Sequence, residues 1–206
     1  MVNLPTGKMK SREGTVVDAD DLMAEVINDA KAITEERGHI ESLNAKQVEK
    51  LYEQIGLGGL KYYLLKVDPK KSMMFNPEES IDLNGNTGPF IQYTFARTQS
   101  ILNKEKGDTK TVNTTAEVES VELDIVKHLV DLPDMIKEAG KNYSPALVAN
   151  YTYELVKLYN SFYQSVSIFK EEDKEKQNIR LLLTEKVAEI VEFTMSLLGI
   201  EVPSKM

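Results

Sequence analysis

The chain has 206 residues, no cysteine, 41% hydrophobic residues and a formal net charge of −8; this excludes a disulfide framework, thiolate metal sites and duplex binding by bulk positive charge, yet leaves enough apolar content for a sizeable core. Its 7 prolines and 11 glycines are too few for a long linker, no run approaches the roughly 18 apolar residues of a membrane helix, and the start lacks the apolar segment of a signal peptide. A reducing compartment, the cytoplasm, fits this composition.

The first motif in chain order is GKMKSREG, residues 7–14, where Lys8, Lys10, Ser11 and Arg12 stand between glycines. Such a loop can offer charges and a hydroxyl to a polyphosphate, with glycine freeing both ends. It lacks the Gly-Lys-Ser or Gly-Lys-Thr spacing of a P-loop, and a solvated basic loop is the plainer reading of the same residues. Thr15 to Val17 reads as a short extended piece, and Asp18 or Asp20 then caps a helix to about Arg37 whose stripe is Leu22, Val26, Ala30 and Ile33. A second helix starts after Asn44 and carries Val48, Leu51 and Ile55; the run GLGG at 56–59 is expected to break it. LKYYLLKV then gives one more helical turn before Asp68-Pro69 extends the chain.

Asn76-Pro77 reads as a helix start with a capping side chain, DLNGNTGP at 82–89 as a tight loop, and PFIQYTFARTQSILNK as a long helix from Pro89. A polar excursion follows at 107–116. The second half reads as four helices, at 119–130, 131–140, 144–168 and about 173–198, with Gly199 ending the last. Short connections imply antiparallel packing, so the predicted fold class is mainly α: a helical bundle with a short irregular or extended N-terminal segment. Tyr151, Tyr159, Phe162 and Tyr163 coincide with an aliphatic face and are assigned to the core. His39 and His128 have no ligand spacing, so no metal site is predicted.

Phe90, Tyr93 and Arg97 recur at spacings of three and four and share a helix face. An aromatic there offers a π surface to an unstacked base, and Arg97 can pair with phosphate or stack. Lysines and arginines gather at 8–12, at 61–71 (Lys61, Lys66, Lys70, Lys71) and at 97–110 (Arg97, Lys104, Lys106, Lys110), which predicts a basic track along which nucleic acid would lie.

Four ordered stretches carry a resemblance that covers nearly the whole chain. KMKSREGTVVDADDL resembles the Lys-Met-Ser-Lys-Ser loop of class I aminoacyl-tRNA synthetases in its arginyl-tRNA synthetase version. LKYYLLKVDPKKSMMFNPEES followed by NTGPFIQYTFARTQSIL is similar to that family's passage toward the anticodon domain, SPALVANYTYELVKLYNSFYQSVSI to the opening of its DALR-type anticodon-binding bundle, and LLGIEVPSKM to its ending on methionine. The resemblance implies the loop and stem-contact helices in 1–75 and the anticodon-binding bundle in 76–206. It implies ATP binding by Lys8, Met9, Lys10, Ser11 and Arg12, Lys8 and Lys10 being the catalytic cations, with Mg2+ accompanying ATP in the full-length enzyme. Lys10 stands where serine is usual and Ser11 where the second lysine is usual, so Lys10 and Arg12 are both candidates for the second phosphate contact. It implies tRNA contacts at Asn84, Asn86, Thr87, Phe90, Gln92, Tyr93, Arg97 and Met206, with Gln92 also a candidate for orienting the loop.

The implied partners are tRNA(Arg), together with arginine and ATP through a Rossmann domain whose His-Ile-Gly-His signature is not among these residues. These residues alone are therefore expected not to catalyse, to bind no cofactor, to act as a monomer and to need no membrane. The corresponding part of a cysteinyl- or methionyl-tRNA synthetase, and a helical protein-interaction module without RNA, are the alternatives at this point.

Overall fold

A computed structural model describes residues 2–3, 18–37, 43–104 and 117–206. The described residues are mainly helical: α1 (Ala19–Arg37), α2 (Ala45–Leu65), α3 (Pro77–Ser80), α4 (Gly88–Lys104), α5 (Ser120–Val130), α6 (Leu132–Asn142), α7 (Pro145–Ser165) and α8 (Lys174–Leu197). Two short strands, β1 (Val2–Asn3) and β2 (Met73–Met74), pair in parallel. The extended piece predicted at 15–17 and the polar excursion at 107–116 lie outside the described residues, as does His39.

The helix starts follow capping chemistry. Asp18 Oδ1 accepts from Asp20 N at 2.9 Å ahead of α1, and Asn44 and Gln47 exchange reciprocal 3.0 Å bonds in a capping box ahead of α2. Asp173 accepts from Glu175 N at the start of α8, and Gly199 leaves that helix at φ 67°. Asn76 differs from expectation. It precedes α3 but caps no backbone N–H; its amide donates to Glu79 Oε1 at 3.0 Å instead.

The larger correction is GLGG, which does not interrupt α2. Glycine costs a helix about 1 kcal/mol relative to alanine, and here each one admits a neighbour that a side chain would exclude. A Cβ on Gly56 would lie 2.7 Å from Val26 O, one on Gly58 2.5 Å from Gln92 Nε2, and one on Gly59 2.6 Å from Ser80 O. The backbone of α1, the end of α3 and the flank of α4 therefore rest directly on α2.

The main core lies among α4 to α8 and includes Ile91, Ile125, Leu155, Tyr159, Phe162, Val187 and Met195, with Tyr62 reaching in from α2. Two smaller clusters join α1 to α2 and α3: Val26, Leu60, Phe75 and Ile81; and Ala30, Leu51 and Ile55. His128 is a packing residue: its ring stacks on Tyr151 at 4.2 Å, its Nε2 meets Tyr151 O, and the Tyr151 hydroxyl donates to His128 O.

Burial pushes the tyrosine hydroxyls of Tyr62, Tyr151 and Tyr159 above their ordinary value of 10.0, that of Tyr151 to about 12 with a further push from Asp131. The folded state thus keeps protons that the unfolded chain releases. Their contribution to stability is complete below pH 10.0 and is lost as the pH rises from there through the folded values. The urea midpoint is expected to hold between about pH 8 and 9 and to fall above about pH 10. Tyr151→Phe, which cannot ionise, should shallow that fall; an unchanged alkaline slope would remove Tyr151 as a contributor.

Candidate nucleic-acid interface

The most distinctive polar constellation on the described surface centres on Arg97, in the second half of α4. Its guanidinium carbon sits 5.0 Å from the ring centroids of both Tyr93, one turn earlier, and Tyr163 of α7. Its Nη1 donates to Asn160 Oδ1, and the Asn160 amide donates to Thr94 Oγ1 at 3.0 Å. The cation is therefore held between two π faces and steered by an amide that is itself anchored. Tyr93 and Tyr163 remain 36% and 38% exposed, so each ring keeps a face toward solvent.

A groove of about 600 Å³ opens at this cluster, its walls completed by Ser100, Asn103 and Lys104 from α4 and by Ser204, Lys205 and Met206 from the tail after α8. Two half-exposed aromatic rings, a fixed guanidinium and two lysines suit an unstacked base with its phosphate. Met206 also packs against Ala30, Leu51 and Ile55, which seats the chain's last described residue on α1 and α2.

Of the residues predicted to contact RNA, the structure brings together Tyr93, Arg97 and Met206. Phe90 lies on the same helix, but its half-buried ring packs on Tyr153 at 5.9 Å and stands outside the groove. Asn84, Asn86 and Thr87 precede α4, about 15 Å of helix away from Arg97. Asn84 is exposed and bonded to Asp82. Asn86 is engaged inside the fold: its Oδ1 accepts from the Tyr62 hydroxyl at 2.6 Å and its carbonyl from Lys66 Nζ at 2.8 Å.

Two of these residues are corrected. Thr87 is buried and works at the start of α4, its hydroxyl donating to Asp82 O and accepting from Phe90 N. Gln92 is wholly buried, and its Nε2 donates to Gln54 O and Glu201 O, both at 2.8 Å. Neither side chain is available to a surface ligand. Tyr163 is the opposite correction, a residue assigned to the core that faces the groove while Tyr151, Tyr159 and Phe162 are buried as predicted. The signal that marks it is Asn160, a polar residue within an aromatic run and the edge of the apolar stripe.

The predicted basic track also changes. Lys61 donates to Gly199 O at 2.7 Å, and Lys66 is half-buried over the Tyr63 ring, its pKa lowered by burial. Lys70, Lys71 and Lys104 remain exposed. Lys8, Met9, Lys10, Ser11 and Arg12, with Lys106 and Lys110, lie outside the described residues. No helix among the described residues is long and apolar enough to cross a membrane.

Comparison with known proteins converges on one group. The profile of the DALR anticodon binding domain matches residues 91–206. The chain is 56% identical over 206 residues to the arginine–tRNA ligase of Flavobacterium psychrophilum, covering 100% of this chain and 34% of that protein. It is 54% identical over 210 residues to the arginine–tRNA ligase of Parabacteroides distasonis, covering 100% and 35%. The solved arginyl-tRNA synthetase of Thermus thermophilus superposes with a TM-score of 0.88 at 25% identity, over 100% of this chain and 34% of that one. That of Plasmodium falciparum superposes at 0.80 over 93% of this chain and 34% of its own, where 24% identity speaks for the fold alone. The chain thus spans about a third of the length of these curated relatives.

Proposed function

The chain belongs to the DALR anticodon-binding family, and from that premise we propose that it is the tRNA-binding part of an arginine–tRNA ligase, which activates arginine with ATP and joins it to tRNA(Arg). The observation that carries this reading is the Arg97 groove: a guanidinium fixed between two half-exposed tyrosines, walled by the tail that ends at Met206. An anticodon base stacks on the ring of Tyr93 or Tyr163, while Arg97 and Lys104 meet the backbone phosphates. Residues 1–75 supply the loop and connecting helices and 76–206 the anticodon bundle, acting as a monomer in the cytoplasm. In the full-length ligase, ATP belongs to Lys8, Met9, Lys10, Ser11 and Arg12 on the strength of their sequence resemblance, with Mg2+ accompanying the nucleotide.

A fluorescence titration with a tRNA(Arg) transcript and an unrelated tRNA tests the reading. Preference for tRNA(Arg) is expected; equal affinity for both would favour a helical interaction module instead. Within the same assay, Tyr93→Ala should cost about 1–3 kcal/mol, roughly 5- to 150-fold in Kd, without loss of fold. Binding indistinguishable from that of the unaltered chain would remove Tyr93 from the site.

A further inference from the structure

We infer that Gln92 and Gln54 are positioning residues that clamp the tail after α8, residues 199–206, so that it forms one wall of the tRNA groove. The inference rests on the tRNA-binding reading above. The tail's first two residues are tied to the last turn of α8, Gly199 N donating to Ser196 O at 2.9 Å and Ile200 N to Met195 O at 3.0 Å; beyond them its position follows from its other tethers. Gly199 turns it at φ 67°, with Lys61 Nζ donating to Gly199 O, and Ile200 anchors it in the main core.

Glu201 is then gripped from two elements at once. Gln92 Nε2 on α4 donates to Glu201 O and to Gln54 O, each at 2.8 Å, while Gln54 Nε2 on α2 donates to Glu201 Oε2 at 2.7 Å. Lys50 Nζ lies 3.4 Å from the same carboxylate oxygen. Beyond this clamp Pro203 is buried, and Met206 reaches both the α1–α2 cluster and the groove beside Arg97.

Stability alone does not explain this arrangement. Gln92 is wholly buried with its Oε1 unpartnered, an arrangement that costs free energy an apolar side chain of equal volume would not incur. Gly58 bears the same mark, since any Cβ there would stand 2.5 Å from Gln92 Nε2. What the amide provides that an apolar group cannot is a pair of donors joining α2 to the tail. Its orientation is settled by its partners, since both are carbonyl oxygens and only the NH2 end can face them.

The test is a double-mutant cycle on the full chain, read by affinity for a tRNA(Arg) transcript. Gln92→Met keeps the volume and removes both donors, and it should weaken binding by about tenfold. Ending the chain after Pro203 should give a similar loss, and the two together should lose no more than the deletion alone, because one acts through the other. Gln54→Ala, at a half-buried position, should weaken binding in the same direction by about threefold. Carboxypeptidase should release Met206 and Lys205 faster from Gln92→Met than from the unaltered chain. Losses that multiply, or Gln92→Met that binds normally while its urea midpoint falls, would make Gln92 a structural residue only and overturn the inference. If the unaltered chain shows no affinity for the transcript, the proposed function fails, and the digestion rate decides the clamp: equal release from both chains overturns it.

Discussion

Arg180→Ala is expected to lower the unfolding free energy by about 3–5 kcal/mol, the cost of removing one partner from a buried ion pair. Arg180 is 4% exposed and works with all three of its nitrogens. Its Nε donates to Glu122 Oε1 at 2.8 Å, its Nη1 to Glu171 Oε2 at 2.7 Å and Ser167 O at 3.1 Å, and its Nη2 to Glu119 Oε1 at 3.0 Å. The start of α5, the segment between α7 and α8, and α8 itself thus meet on one guanidinium. Glu119 and Glu171 keep some access to water when it is removed, but Glu122, at 3% exposure, does not. It would retain only the backbone bond from Glu119 N at 2.7 Å. Arg180→Met combined with Glu122→Met should therefore recover a large part of the loss, since no uncompensated charge stays buried. Urea denaturation of the two variants decides it: a loss below about 1 kcal/mol for Arg180→Ala would mean that the pair is better hydrated than its geometry implies.

The number and order of the long helices were legible because periodicity and capping residues are local properties. Asn44, Pro145 and Gly199 each mark an end whatever packs against it. What the sequence hides is any role set by a partner far along the chain. Gln92 and Tyr93 are neighbours on an amphipathic helix and both stand among the residues expected to meet RNA; one points to Glu201, 109 positions away, and the other to solvent. Tyr163 sits at the edge of an apolar stripe, and only the approach of Arg97, 66 positions earlier, turns its ring into part of a groove. The aromatic-and-arginine pattern of α4 was readable, whereas the tail that completes the site was marked only by a family resemblance to a terminal methionine.

Glycine shows the same contrast and yields the second large effect. Gly88→Ala is expected to cost about 3 kcal/mol, at the top of the range for overpacking, because the new methyl would meet backbone on the partner helix. A Cβ there would stand 2.6 Å from Gly58 O, 2.9 Å from Gly58 C and 3.0 Å from Tyr62 Cβ. No rotamer change relieves such a clash; α4 must move away from α2, and with it the Gln92 amide that reaches Gln54 and Glu201. Gly140, in α6, is the internal control. Nothing lies within 4 Å of a Cβ built there, so Gly140→Ala should stabilise the chain by about 0.5–1 kcal/mol through helix propensity alone. Opposite signs at the two positions, measured by urea midpoint, would establish that Gly58 and Gly88 form a contact seam where two helices touch backbone to backbone. A loss under about 1 kcal/mol at Gly88 would mean that α4 can withdraw from α2 at little cost. The spacing between Gln92 and the tail would then rest on the remaining tethers, Lys61 on Gly199 O and Ile200 in the main core.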